Sequence, residues 1–378
     1  MKELSLYFAT NRKHEGSDRW NPTSYGKNFS DDGAENLRFG WLSLSADEKV
    51  LNKHHKKKGA YGVGDGVFLA TYLAEQAKGA KIEAYREKLD PNVADIHQEG
   101  AKLGSLAMFD DLKKEMMDKT DVLIYIHGFN VSWHEAVGSA LALQEMLNNS
   151  QTKDPNQKLL VILFTWPSDG MALPFVSYKS DRTEAQASGY AFGRGMLKVR
   201  DFLTTLKKDG GGVCGQDIHL LCHSMGNYVL QNTIDRIYDH TPGSALPRVF
   251  EHIFMCAPDV DDNVLEPEKE MGRVHELARS VSVYHNMGDV AMYVSDYTKG
   301  NPERLGHNGS ARPTLLHNKV NQIDCSPVVA GEGITEHSYY LMGKVNEDIR
   351  QSIDGIPHDN SKRRRALSPK GPNVWVMK

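Results

Sequence analysis

The chain has little of what would tie it to a disulfide framework, a metal, a membrane or a nucleic acid. It contains four cysteines, Cys214, Cys222, Cys256 and Cys325, with no CxxC pair among them. Cys222 and Cys256 end apolar runs, a setting for buried reduced thiols rather than disulfides, and a reducing compartment is expected. No HExxH occurs, and the His54-His55 pair stands in a lysine-rich stretch without carboxylates or thiols at ligand spacing, so no metal is expected. There is no P-loop, internal repeat or low-complexity tract. No run approaches the ~20 apolar residues of a membrane span. The opening stretch MKELSLYFATNRKHEG lacks the apolar centre of a signal peptide, and the expectation is a cytoplasmic protein. Charge of one sign is also missing. With 45 basic and 49 acidic residues the formal net charge is −4, which gives no reason to expect a nucleic-acid or bilayer partner and favours a small, roughly neutral substrate.

What is present is a series of short apolar runs in a 378-residue chain with 40% hydrophobic residues, enough for a large core. The runs are residues 4–10, 39–45, 122–126, 159–165, 218–222, 250–256 and 281–285. In the middle runs hydrophobicity is continuous rather than alternating, as in strands covered on both faces of a parallel sheet. Residues 133–147 and 182–207 carry helical periodicity between them, Asp181 and Glu184 reading as a capping box for the second. The class is α/β. Residues 1–355 are expected to form one domain, with 46–120 an insertion containing helices and 46–66 a solvated loop. Residues 356–378, with the basic run Lys362 to Arg365, are expected to be a tail.

The stretch LLCHSMGNYVL (220–230) sets a serine at the end of an apolar run. A hydroxyl becomes a nucleophile when a rigid turn exposes it beside a base and beside donors for the carbonyl oxygen. The strand-to-helix turn G-x-S-x-G does this, and here its small positions are Cys222 and Gly226 around Ser224. The competing reading is a serine capping a helix. YIHGFN (125–130) follows another apolar strand, as the loop that lends a backbone N–H to an oxyanion hole does. The expected donors are the amides of Phe129 and Met225. His127, Gly128, Asn130, Trp166 and His223 are assigned to the substrate-binding rim, His223 pointing away from the serine itself. Tyr178, Asp181 and Arg182 are candidates for the entrance, and Arg12 for a structural ion pair.

In this architecture the acid and then the base follow the serine. Asp289, in NMGDVAM after a strand-like run, is the leading acid, with Asp259 in CAPDVDD as rival. His337, in a glycine-rich loop before a final helical segment, is the leading base, with His307, His317 and His358 as alternatives.

Together these residues resemble the DUF900-type α/β-hydrolases, bacterial proteins described as serine esterases or lipases. The matching stretches are FATNR (8–12), IHGFN (126–130), FTWPSDG (164–170), CHSMGN (222–227), CAPDVD (256–261), YHNMGDVAM (284–292), RLG (304–306), IDCS (323–326) and EHSYY (336–340). The resemblance implies the α/β-hydrolase fold, a mostly parallel central sheet with helices on both faces. It also implies a triad on Ser224, Asp289 and His337, and no cofactor. Two positions depart from the family pattern: Cys222, where a smaller residue is usual, and Glu336, where glycine is usual. The expected activity is acyl transfer from a small or medium carboxylic ester to water. An amidase or thioesterase with the same triad, and a non-catalytic hydrolase-like binding module, are the alternatives; oligomeric state is left open.

Overall fold

The structure, a computed structural model, describes residues 1–378 except 60–61, 88–102, 151–153, 169–173, 209–215, 242, 244, 293–302 and 330–332, and the side chains of 174–180, 203–208 and 333–336. In chain order its strands are β1 (Lys2–Thr10), β2 (Arg12–Glu15), β3 (Ser24–Phe29), β4 (Arg38–Ala46), β5 (Lys58–Gly59), β6 (Gly62–Val63), β7 (Lys81–Ala84) and β8 (Asp121–Ile126). They continue with β9 (Leu159–Thr165), β10 (Asp217–His223), β11 (Phe250–Cys256), β12 (Ala278–His285), β13 (Val320–Asp324), β14 (Arg365–Leu367) and β15 (Val374–Met377). Among the described residues, eleven form one sheet in the order β14-β15-β13-β12-β11-β10-β8-β9-β1-β4-β7. Every neighbouring pair from β15 to β1 is parallel; β14, β4 and β7 add antiparallel edges.

Side-chain alternation along the strands divides the core in two. Leu123, Tyr125, Leu159, Val161, Leu163, Leu221 and Phe254 face one layer, which contains the helices Gly66–Ala77, Trp133–Asn148 and Gly343–Ile353. Val122, Ile126, Leu160, Phe164, Leu220 and Ile253 face the other, with the helices Ser105–Met116, Pro174–Lys208 and Gly226–His240. Burial on both faces is why these strands read as unbroken apolar runs. After β8 the chain goes to β9 on one side, and after β9 it returns to β10 on the other. The carboxyl end of β8 is therefore the crevice where open α/β sheets bind ligands.

Three expectations are corrected here. Residues 46–66 are not a loop: Asp47 accepts the Lys49 N–H at 2.8 Å and caps the helix Glu48–Lys56, followed by the β5/β6 hairpin. The 46–120 region does contain helices, but its described residues are built into the domain rather than inserted beside it, supplying edge strand β7 and the helix Gly66–Ala77, so close to Trp133–Asn148 that a Cβ on Gly138 would lie 2.4 Å from the Ala70 carbonyl oxygen. Residues 356–378 are not a tail, because β14 and β15 extend the central sheet.

Candidate active site

Ser224 stands between β10 and the helix Gly226–His240 with φ of +51°, the left-handed region that side chains rarely adopt. Such strain persists where surroundings over-determine it. The Ser224 N–H donates to the Cys256 carbonyl at 2.9 Å, its own carbonyl accepts the Asn227 N–H at 3.0 Å and the Asp259 N–H at 3.2 Å, and the Asn227 side chain donates to the carbonyls of Cys222 and Ser224. Gly226 is required: a Cβ there would lie 2.7 and 2.8 Å from the carbonyl oxygens of Ile126 and His127. Cys222 is fully buried, and burial pushes its thiol well up, so it stands in the turn as a small neutral side chain.

The HG loop packs directly on this turn. A Cβ on Gly128 would come within 2.7 Å of Ser224 Cβ, so the backbone of one loop touches the serine of the other. His127, expected on the substrate-binding rim, is instead enclosed: Nδ1 donates to the Gly128 carbonyl at 2.9 Å, and Nε2 faces the Thr165 hydroxyl at 2.9 Å, the Trp166 N–H at 3.3 Å and Arg12 at 3.4 Å. Burial, then Arg12, drive its pKa well below the ordinary value. Trp166, also assigned to the rim, is fully buried, stacked on His127 with its indole N–H donating to the His127 carbonyl at 3.1 Å. Both side chains belong to the loop's scaffold, filling the space between it and the end of β9. Asn130 is exposed, with φ of +54° and its N–H toward Asp181, which accepts the Ser168 hydroxyl at 2.6 Å. Asp181 lies buried inside the helix Pro174–Lys208 rather than capping it, since that helix begins well before the point the periodicity indicates. Arg182 stacks on Tyr228; the Tyr178 side chain lies outside the described residues.

Asp289 and His337, far apart in the chain, are joined by a 2.8 Å hydrogen bond from Nδ1 to Oδ2. The other Asp289 oxygen accepts the amides of Ala291 (3.0 Å) and Met292 (3.2 Å). Burial alone would raise the Asp289 pKa, but the His337 charge and hydrogen bond and the Met292 amide outweigh it and hold the carboxyl below its usual range. Burial likewise lowers the His337 pKa, and Asp289 outweighs that, leaving the imidazole above its ordinary value. The rival acid Asp259 is buried and paired with Arg304 at 3.3 Å. Arg304 also binds Asp261, and Gly306 bonds to Pro258 and Asn286, so the RLG stretch ties the Asp259 loop to the Asp289 loop. His317 is exposed and stacked on His275, His307 donates to the Met287 carbonyl, and His358 faces Arg365.

His223, also placed on the rim, donates from Nε2 to the His337 carbonyl at 2.9 Å, the two rings 4.6 Å apart. It thus links the residue before the serine to the histidine loop. Burial, then the His337 charge, lower its pKa to about 3 and keep it neutral. Two residues that sequence reasoning passed over hold the same loop. Tyr339 donates to the Tyr284 carbonyl at 2.7 Å and accepts the Ala257 N–H at 3.0 Å, and Tyr340 meets the Tyr125 hydroxyl at 2.7 Å. The aromatic pair that closes the EHSYY stretch was the available signal. Among the described residues no hydrogen bond joins the Ser224 hydroxyl to the His337 ring. The Glu336 side chain and Cys214 lie outside the described residues; Cys222, Cys256 and Cys325 are buried free thiols. No group of metal-ligating side chains, and no helix long and apolar enough to cross a membrane, occurs among the described residues.

No curated protein matches the chain. A solved structure of Aspergillus fumigatus lipase B is similar at 10% identity and a TM-score of 0.34, over 64% of this chain and 53% of that one. The chain thus spans about half the length of that lipase, and a likeness at this level carries no argument here. The family model described as "Alpha/beta hydrolase of unknown function (DUF900)" matches residues 105–350, more than half of the chain and all of the strands from β8 to β13. The chain belongs to this family of α/β-hydrolases.

Proposed function

We propose that the protein is a serine hydrolase that cleaves carboxylic esters of small or medium acyl chain, with Ser224 as nucleophile, His337 as base and Asp289 as the acid that orients it. The observation that carries this reading is the 2.8 Å Asp289–His337 pair, linked through His223 to a serine turn strained to φ +51°. Ser224 attacks the ester carbonyl carbon while His337 takes the hydroxyl proton at Nε2; the imidazolium is stabilised by buried Asp289, which itself stays ionised. The amides of Phe129 and Met225 stabilise the oxyanion, the second at the N-terminal end of a helix whose dipole favours negative charge. His337 then protonates the departing alkoxide, and a water deprotonated by the same imidazole releases the acid from the acyl-enzyme. The Ser224–His337 contact closes as substrate binds, since such contacts are commonly long in the free enzyme. The residues in roles here need no metal or cofactor to balance these steps.

The test is hydrolysis of p-nitrophenyl esters of graded acyl length. Ser224→Ala is expected to lower kcat by on the order of 10⁴-fold or more with the fold intact. Full activity in that variant would overturn the assignment.

A further inference from the structure

We infer that His127 and Arg12 are positioning residues that fix the peptide planes of the oxyanion loop. This rests on the serine-hydrolase reading above and adds to it. A trans peptide is planar, with its C=O and N–H pointing in opposite directions. The Gly128 carbonyl is turned back onto His127 Nδ1 at 2.9 Å, so the N–H of the same peptide unit, that of Phe129, points away from the His127 ring. One peptide earlier, the His127 carbonyl is held by the Trp166 indole at 3.1 Å, and at the far end of the loop Arg12 donates to the Val131 carbonyl at 2.7 Å.

The latch works with one tautomer. A carbonyl oxygen only accepts, so Nδ1 must carry a proton. Nε2 is met by donors: the Trp166 N–H at 3.3 Å, an Arg12 N–H at 3.4 Å and the Thr165 hydroxyl at 2.9 Å. Arg12 also donates from Nε to Thr165 Oγ1 at 2.9 Å and from a terminal nitrogen to the Gly26 carbonyl at 3.1 Å. Facing the Arg12 and Trp166 N–H groups, Nε2 is left as an acceptor, and the Thr165 hydroxyl donates to it. The groups facing the ring from β2, from the end of β9 and from its own loop are therefore one cation and neutral hydrogen-bonding groups, with no carboxylate in contact, and a second proton, on Nε2, would be turned toward the Arg12 and Trp166 N–H groups. Arg12 was expected to form an ion pair. It is buried, its hydrogen bonds go to carbonyls and a hydroxyl, and the acids Asp181, Glu184 and Glu135 act on it only through space. A buried guanidinium that joins the loop at Val131 and the histidine that holds it to Thr165 of β9 and Gly26 of β3 is accounted for by this role.

The experiment compares two replacements in the full chain. In His127→Asn the amide nitrogen stands near the place of Nδ1 and still reaches the Gly128 carbonyl; in His127→Gln the polar atoms stand near Nε2 and do not. His127→Gln is expected to lose about 10²–10³-fold in kcat, as for removal of one oxyanion donor, with KM changed by no more than about threefold, and His127→Asn to recover to within about tenfold of wild type. Equal losses in the two variants, or none in either, would overturn the inference while leaving ester hydrolysis by the wild type intact. Failure of the serine-hydrolase reading would show separately, as a wild type that hydrolyses no ester. A measurement independent of variant folding is the ¹⁵N spectrum of histidine-labelled wild type: one ring is expected to be protonated at Nδ1 alone and to remain so on acidification to the edge of the folded range. Absence of any such Nδ1-protonated ring would equally overturn it.

Discussion

Asp289 and His337 move each other's titration in opposite directions, and the consequence is readable in a rate profile. The base must be neutral to accept the Ser224 proton. Its pKa is raised from 6.5 because Asp289 outweighs burial, so the acid limb of kcat/KM is expected to have its midpoint above 6.5, with activity growing as pH rises through it. Asp289→Asn removes the charge that raises it and is expected to move the midpoint down as well as lower the rate. A pH–rate profile of both proteins checks this; a wild-type midpoint below 6.5 would contradict it. At this scale, chain order and strand ends were enough to nominate Asp289 and His337, and the hydrogen bond between them is present. His127 and Trp166 were misread for a common reason. A polar side chain next to a functional loop looks alike in sequence whether it faces substrate or supports the loop from behind, and burial, which separates the two, is a tertiary property.

The elements legible in the sequence are those whose own residues carry the signal. Seven apolar runs are strands of the central sheet, and the helix Trp133–Asn148 begins where Ser132 and Glu135 form a capping box. The helix Glu48–Lys56 was passed over because Leu51 is its one buried residue, so it shows a cap but no apolar stripe. β14 and β15 were passed over because they are three and four residues long and flanked by charge; the pairing of β15 with β13, and of β14 with β15, exists only in the assembled sheet. The early start of the helix Pro174–Lys208 has a local sign after all: proline fits the first turn of a helix, where its missing N–H costs nothing.

At the scale of the whole molecule, the basic run near the C-terminus closes the sheet. Buried Arg363 and the enclosed side chain of Arg365 converge on buried Asp348 of the helix Gly343–Ile353, which also accepts the Tyr284 hydroxyl at 2.8 Å. Burial alone would raise the Asp348 pKa; Arg365 and Arg363 outweigh it and lower it from 3.8 to about 2. A carboxylate with a depressed folded pKa contributes stability that is fully present above 3.8 and lost as pH falls through about 2. Asp348→Asn leaves two buried cations without their counter-charge and is expected to cost about 3–5 kcal/mol at neutral pH, read by urea unfolding. A midpoint equal to wild type would contradict the clamp. The same helix follows directly on the His337 segment, so the clamp that closes the sheet also anchors the element behind the base.

All of this converges on one oxygen atom held at the carboxyl end of the parallel sheet. The most direct test is reaction of the folded protein with a fluorophosphonate, followed by intact mass and peptide mapping. A single adduct on Ser224 is expected, formed far more slowly in His337→Ala. An unmodified wild type, or an adduct carried by a different residue, would contradict Ser224 as the nucleophile.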